Sequence, residues 1–190
     1  MKKILSWTFV GVLLVGVYIL VTPSWDYDFP RYRGESITKI GDDPFIQQVP
    51  QDYAERYQQE LSEYKESLAN DPSDIEGWLR VGVIKHFFNN HDGAKDVWEY
   101  AKLVNPKHST AYYNLGGLYA WYLNDLEAAE ENYLEALEID PTLPYIYLGL
   151  AEFYSVFYTD KNDQIEEVIS RGLKILPDDE SLLKALEDYR

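Results

Sequence analysis

Residues 106–141 read PKHSTAYYNLGGLYAWYLNDLEAAEENYLEALEIDP, and this stretch decides the fold. It holds two helix-length segments between two prolines, and similar prolines recur on either side. Pro72, Pro106, Pro141 and Pro177 are separated by 34, 35 and 36 residues. A period in this range predicts an array of short structural repeats, with a proline ending one unit and starting the next.

Residue size also recurs at fixed distances from these prolines. Large, aliphatic and small residues follow six, nine and ten positions after each of the first three, and small and large residues alternate before the last three. This pattern predicts two helices per unit that approach closely at the small residues, with Trp98 and Tyr133 filling the gap toward the next hairpin. The expected packing positions are Trp78, Gly82, Ala94, Trp98, Ala101, Leu115, Gly116, Ala129, Tyr133 and Ala136.

The pattern resembles the tetratricopeptide repeat (TPR) family over about residues 73–177. The resemblance implies antiparallel helix pairs stacked into a right-handed superhelix with a concave groove, and most members are adaptors or assembly scaffolds. The chain departs from the pattern at Lys85, where an aromatic residue is expected, and at Ile165, where alanine is usual. The extra residues of the second and third units are expected between their helices, around residues 123–125 and 159–162, where a longer turn costs little.

We therefore expect an all-α fold, with an N-terminal transmembrane helix followed by a right-handed TPR superhelix of about three helix-turn-helix repeats and flanking helices. Flanking helices are needed because a terminal repeat exposes an apolar face. The predicted segments are a transmembrane signal-anchor at 1–22, an extended connector rich in proline and aromatic residues at 23–50, an N-terminal flanking helix or half repeat at 51–72, repeats at 73–106, 107–141 and 142–177, and a C-terminal capping helix at 178–190.

The N-terminal apolar run predicts a membrane anchor. Residues 4–22 form 19 consecutive positions without a charge, which is close to the length that crosses a bilayer. The alternative is a cleavable signal peptide, but the exit of the run lacks the usual pair of small residues. Lys2 and Lys3 lie directly against the run, which favours a cytoplasmic N-terminus and a repeat domain on the non-cytoplasmic, periplasmic or luminal side. The basic residues that follow the run nearly equal Lys2, Lys3 and the amino terminus in positive charge, so the charge difference across the run is small.

The connector at 23–50 contains four prolines and two glycines, which exclude a long helix. It also carries many apolar groups, among them Trp25, Tyr32 and Phe45. It is either a solvated spacer or a segment that packs along a partner or the membrane surface.

Composition excludes several functions. The net charge of −16 argues against wrapping nucleic acid, and the absence of cysteine removes disulfides and thiolate sites. The histidines His86, His91 and His108 form no zinc-binding pair, and Glu130 with Glu131 is typical of a solvated helix face. We expect no enzyme activity, no metal and no cofactor.

The function is therefore expected in the groove. Projecting the first helix of each repeat onto its inner face gives an apolar and aromatic surface, and Asn114 alone matches the residues that grip a C-terminal carboxylate in some TPR proteins. An extended peptide or an amphipathic helix with apolar anchors fits better. The candidate partner-binding residues are Leu79, Val83, His86, Phe87, Tyr113, Gly117, Trp121 and Glu152.

Two functions follow from these features. The favoured one is a single-pass membrane-anchored TPR scaffold for protein–protein interaction, which docks onto or is a subunit of a membrane protein complex. The alternative is an anchored chaperone or assembly factor that acts transiently on membrane or secreted clients. Both involve the lipid bilayer through residues 4–22 and a protein partner.

Overall fold

The computed structural model describes residues 30–189, which form eight α-helices joined by short turns. The helices are α1 (Gln51–Asn70), α2 (Ile75–Phe87), α3 (His91–Val104), α4 (Ser109–Leu118), α5 (Leu126–Ile139), α6 (Pro144–Val156), α7 (Ile165–Ile175) and α8 (Glu180–Asp188). A π-helical turn, Tyr119–Leu123, extends α4, and 3-10 turns occupy Pro44–Gln48 and Thr159–Gln164.

The helices stack in chain order. The pairs α2/α3, α4/α5 and α6/α7 form hairpins, while α1 packs on α2, and α8 packs on α6 and α7. The buried apolar side chains form two clusters, one centred on the first hairpin and one on the second and third. Tyr119 packs against both clusters, so the two cores are joined through α4.

The junctions between units repeat the same hydrogen bond. In each unit the aromatic residue six positions after the proline donates its ring N–H or hydroxyl to that proline's carbonyl oxygen. The bonds are Trp78 Nε1 to Pro72 (3.0 Å), Tyr112 Oη to Pro106 (3.3 Å) and Tyr147 Oη to Pro141 (3.0 Å). Leu183 holds this position after Pro177 and is 43% exposed, because α8 closes the array and no further helix covers it. The shared bond explains why an aromatic residue follows each of the first three prolines at this distance.

All ten predicted packing positions are buried. Within the hairpins, glycine on the first helix lies under a ring of the second. A Cβ on Gly82 would overlap the indole ring of Trp98, so Trp98 packs inside its own hairpin, and it also shares the first core cluster with Leu115 and Leu118 of the next one. Tyr133 likewise covers Gly116 of its own hairpin and reaches Gly149 of the third unit.

Two adjacent glycines provide a test of this packing. A Cβ on Gly116 would meet the Tyr133 ring at 2.9 Å, whereas a Cβ on Gly117 would come no closer than 3.5 Å to the Tyr133 hydroxyl. We expect Gly116→Ala to lower the free energy of unfolding by about 1–3 kcal/mol through overpacking. Gly117→Ala should instead be neutral or stabilise by up to about 1 kcal/mol, since alanine favours helix. Urea denaturation of both variants is the measurement, and equal effects would contradict the assigned packing.

Residues 30–50, which we call the strap, pack against the chain's own first hairpin. The Tyr32 ring lies 5.1 Å from Trp78 and 5.2 Å from Tyr100, and it is joined in the core by other apolar strap residues. Gln58 of α1 donates to the Thr38 carbonyl at 2.7 Å. The described part of the connector is therefore not a solvated spacer, because it packs against the chain's own first hairpin.

Lys85 fastens the strap to α2. Its side chain is fully buried, and its Nζ donates to the Glu35 carboxylate (2.9 Å) and to the carbonyl oxygens of Ser36 (2.9 Å) and Lys39 (2.7 Å). Burial lowers the pKa of Lys85. Burial would raise the pKa of Glu35, but hydrogen bonds from Asn90, Lys85 and Lys39 outweigh it and lower the pKa to about 2. The lysine that departs from the repeat pattern thus satisfies the strap's buried polar groups.

We expect Lys85→Met to lower the free energy of unfolding by roughly 2–4 kcal/mol, because Glu35 and two carbonyl groups lose their donor. Lys39→Met is the matched control, because its ammonium is exposed and exposed ion pairs contribute little. Urea denaturation gives the energies, and limited trypsin digestion at Arg33 reports release of the strap. Equal unfolding curves for the two variants would contradict this role of Lys85.

The predicted anchor at 4–22 lies outside the described residues. Between residues 30 and 189, none of the helices combines the length and the apolar character needed to cross a membrane.

Candidate protein-binding groove

The inner helices α2, α4 and α6 line a cavity of about 360 Å³. Its walls are mainly aromatic and apolar, with Glu152 as the one acidic side chain among them. The lining residues are Val83, His86, Trp98, Tyr113, Asn114, Gly117, Leu118, Trp121, Tyr122, Tyr133, Gly149 and Glu152. We call this cavity the groove.

The structure brings six of the eight predicted groove residues together there. They are Val83, His86, Tyr113, Gly117, Trp121 and Glu152. Leu79 was wrongly assigned, because it belongs to the first core cluster, is only 5% exposed, and accepts the Trp98 indole N–H on its carbonyl oxygen. Phe87 is exposed but outside the groove, since its ring packs 5.7 Å from Tyr57 and 6.2 Å from Phe45.

The groove also includes residues that the sequence analysis did not assign to it, among them the rings of Trp98, Tyr122 and Tyr133 and the glycine Gly149. Trp98 and Tyr133 were placed only in the repeat packing, yet their ring edges reach the cavity. Gly149 lies beneath two rings, because a Cβ there would be 2.9 Å from Tyr113 and 3.2 Å from Tyr133. A glycine on the inner face of the third unit was the available signal. Gly116, in contrast, is covered by Tyr133, so only Gly117 leaves room for a ligand backbone.

The extra residue of the second unit shapes one wall of the groove. It was expected in the turn around residues 123–125, but it is taken up within the helix as the π-turn Tyr119–Leu123, which ends at Asn124 in the left-handed conformation (φ 54°). π-Turns arise where a residue is inserted into a helix, and they often mark functional sites. Here the turn carries Trp121 and Tyr122, which are 47% and 51% exposed. Trp121 meets Phe157 edge-on with ring centroids 4.6 Å apart.

A histidine pair forms one end of the groove. The Nδ1 atoms of His86 and His91 are 3.3 Å apart, and the Tyr122 ring lies 4.8 Å from the first and 4.2 Å from the second. Burial lowers the pKa of both histidines, and His91 further lowers the pKa of His86. Both are therefore neutral at pH 7. Within residues 30–189, no three histidines or carboxylates gather as a metal site would require.

We expect this pair to make stability pH-dependent below pH 6.5. The unfolded chain binds more protons here, because the folded pKa values lie below the ordinary value of 6.5, so the free energy of unfolding falls as pH drops through this range. The loss ends below the lowered pKa values. Changing His86→Asn and His91→Asn together should flatten the decline between pH 7 and about 5. Urea denaturation at several pH values is the measurement, and parallel curves would contradict the coupling. Glu35 also makes the free energy of unfolding pH-dependent, but its stabilising contribution is lost at lower pH, below its ordinary pKa of 4.5.

Some of the charged side chains outside the groove form ion pairs. Glu130, expected on a solvated face, instead accepts from the hydroxyl of Tyr154 and from Lys161, whereas Glu131 is exposed as expected. Lys102 pairs with Glu99 at 3.2 Å. Glu152 forms no ion pair within residues 30–189, and it lies in the groove together with the exposed rings of Trp121 and Tyr122.

Stacked helical hairpins with a concave inner surface define a class, the helical repeat proteins that bind other proteins. Residues 109–143 match the family described as Tetratricopeptide repeat. Over 70 residues the chain is 31% identical to human (Homo sapiens) Tetratricopeptide repeat protein 6, a match that covers 37% of this chain and 13% of that protein. The structure described as the crystal structure of MamA is similar in fold, with a TM-score of 0.54 and 19% identity over 66% of this chain and 72% of that one.

The chain contains a sequence match to the tetratricopeptide repeat family at residues 109–143 and is similar to members of that family in sequence and in fold. The resemblance inferred from the proline spacing is thus confirmed, as is the all-helical architecture. Tetratricopeptide repeats are in general scaffolds for protein–protein interaction rather than enzymes. The matched stretch spans only about one eighth of the human relative, so nothing of that protein's wider role carries over.

Proposed function

We propose that this chain is a single-pass membrane-anchored TPR scaffold that binds a protein partner in its groove and serves as a subunit or docking factor of a membrane protein complex. The observation that carries the binding role is the group of exposed rings on the inner helices. Trp121, Tyr122 and Tyr145 are each more than a third exposed, and Val83 and Val156 are exposed near them.

Exposed apolar side chains that gather in a concave surface are typical of interaction sites. Interface energy concentrates in aromatic anchors seated in pockets, and Trp and Tyr are the commonest anchors together with Arg. Tyr113 and Trp121 are suited to this role, because each ring is held by another. Tyr113 packs against Tyr145 with centroids 4.8 Å apart, and Trp121 packs against Phe157. Such preorganised rings lose little conformational freedom when a partner binds.

The membrane component of the proposal is supported by the uncharged run at residues 4–22 and the basic residues before it. Seven residues, 23–29, separate that run from the strap, and an extended chain of that length reaches roughly 25 Å at most. The strap is fastened to the first hairpin through Lys85. An anchor at 4–22 would therefore hold the groove close to the bilayer, on the non-cytoplasmic side in the favoured orientation.

The alternative remains an anchored chaperone or assembly factor that engages clients transiently. The groove is open and rimmed by several separate rings, which suits either a permanent or a changing partner. The two differ in the lifetime of the complex, and that difference is measurable.

The experiment is mild-detergent purification of the full chain from membranes. We expect the chain to stay with the membrane after alkaline washing and to elute with a stoichiometric partner. Tyr113→Ala with Trp121→Ala should weaken the complex by about 2 kcal/mol or more if both are anchors. Glu127→Gln with Glu131→Gln is the control, because both residues are exposed on the outer helix α5.

Each element of the proposal has its own contradicting result. A chain that begins near residue 25 and is found in the soluble fraction would contradict the anchor. Substoichiometric clients that change between preparations would favour the chaperone. A groove variant with an unchanged melting curve and unchanged capture would contradict the groove as the binding site.

A further inference from the structure

The groove has a single formal charge at pH 7 among its lining residues. Glu152 supplies it, since His86 is neutral and the lining contains neither lysine nor arginine. Glu152 lies on α6 one turn after Gly149, where the rings of Tyr113 and Tyr133 converge. The carboxylate contributes to the raised pKa of both phenols, after burial as the main cause, so its field reaches the floor of the groove.

The remaining titratable groups facing this carboxylate do not neutralise it. Tyr113 and Tyr133 stay protonated, and the His86–His91 pair is held neutral by burial. Within residues 30–189 no basic side chain forms an ion pair with Glu152, and several are engaged with acids of their own, as Lys102 is with Glu99. Within the described part of the chain, the carboxylate is thus left to attract a positive charge from outside.

The aromatic walls favour the same kind of ligand. The face of a tryptophan or tyrosine ring attracts a cation, and the attraction grows when both are shielded from water. Trp121 and Tyr122 present exposed rings at the rim, and Tyr113 lies on the floor. Rings on several sides with one carboxylate form a site suited to a guanidinium or ammonium group on an otherwise apolar segment.

We propose that the groove binds a partner segment through one arginine or lysine side chain, which pairs with Glu152 and lies against the rings while flanking apolar side chains cover the rest of the groove. Arginine suits the site better than lysine, because its planar group both stacks on rings and binds a carboxylate through two hydrogen bonds. The net charge of −16 would also steer a basic segment toward the chain. This inference rests on the proposed function of the groove.

The test is selection of a displayed random peptide library on the immobilised full chain, followed by affinity measurements on synthetic peptides. We expect the enriched peptides to share one basic position between apolar ones. Replacing an arginine there with citrulline, which keeps the shape and removes the charge, should weaken binding about tenfold. Glu152→Gln should weaken the arginine peptide by a similar factor and leave the citrulline peptide nearly unchanged.

Two controls make this comparison specific. Glu131→Gln removes the same charge from the outer surface of α5 and should leave both affinities unchanged. On the unaltered chain, raising the salt concentration should weaken the arginine peptide more than the citrulline peptide, a measurement that does not depend on any variant folding.

The possible failures are distinguishable. Peptides that need Tyr113 and Trp121 but carry no basic residue, or bind Glu152→Gln normally, would overturn the cationic anchor and leave the groove as a binding site. If no peptide is enriched, or if the enriched peptides bind the Tyr113→Ala, Trp121→Ala variant equally well, both this inference and the proposed groove fail.

Discussion

The contact between a glycine on the first helix of a hairpin and an aromatic ring on the second is the constraint on which the rest of the structure depends. Gly116 under Tyr133 lets α4 and α5 approach closely enough for the ring to pass between them. Tyr133 then extends to Gly149 of α6, so one ring sets both the width of a hairpin and its spacing to the next. The floor of the groove is therefore made by the same atoms that hold the repeats together.

The helical hairpins were predictable because their signals are local and repeated. Each unit carries its proline, its aromatic residue six positions on and its small residues, and all ten packing positions taken from that register are buried. The groove was only partly predictable. A helical projection gives the direction of a side chain but not how deeply the neighbouring helix covers it, which is why Leu79 was misassigned. Phe87 was misassigned because α1 and the strap reach it from outside the repeats.

Other features had no local signal in the sequence. Lys85 meets Glu35 across 50 residues, so the reason for a lysine at an aromatic position appears only when the strap is in place. The π-turn that exposes Trp121 and Tyr122 results from one extra residue in the second unit. The sequence shows that this unit is longer by one residue, but it does not show where in the unit the extra residue lies. A turn and a helix can each absorb one residue, and here the helix does so at Tyr119, which packs against both cores.

Two carboxylates of this chain, Glu35 and Glu152, show how the same group serves structure or recognition. Glu35 receives hydrogen bonds from Asn90, Lys85 and Lys39, which lower its pKa to about 2 and fix the strap. Glu152 lines the groove together with phenol and indole rings, and it forms no ion pair with a basic side chain within residues 30–189. A carboxylate that already accepts hydrogen bonds from its own chain attracts a ligand only weakly, because its neighbours compensate its charge. A carboxylate placed among exposed rings keeps that attraction for a charge that arrives with the partner.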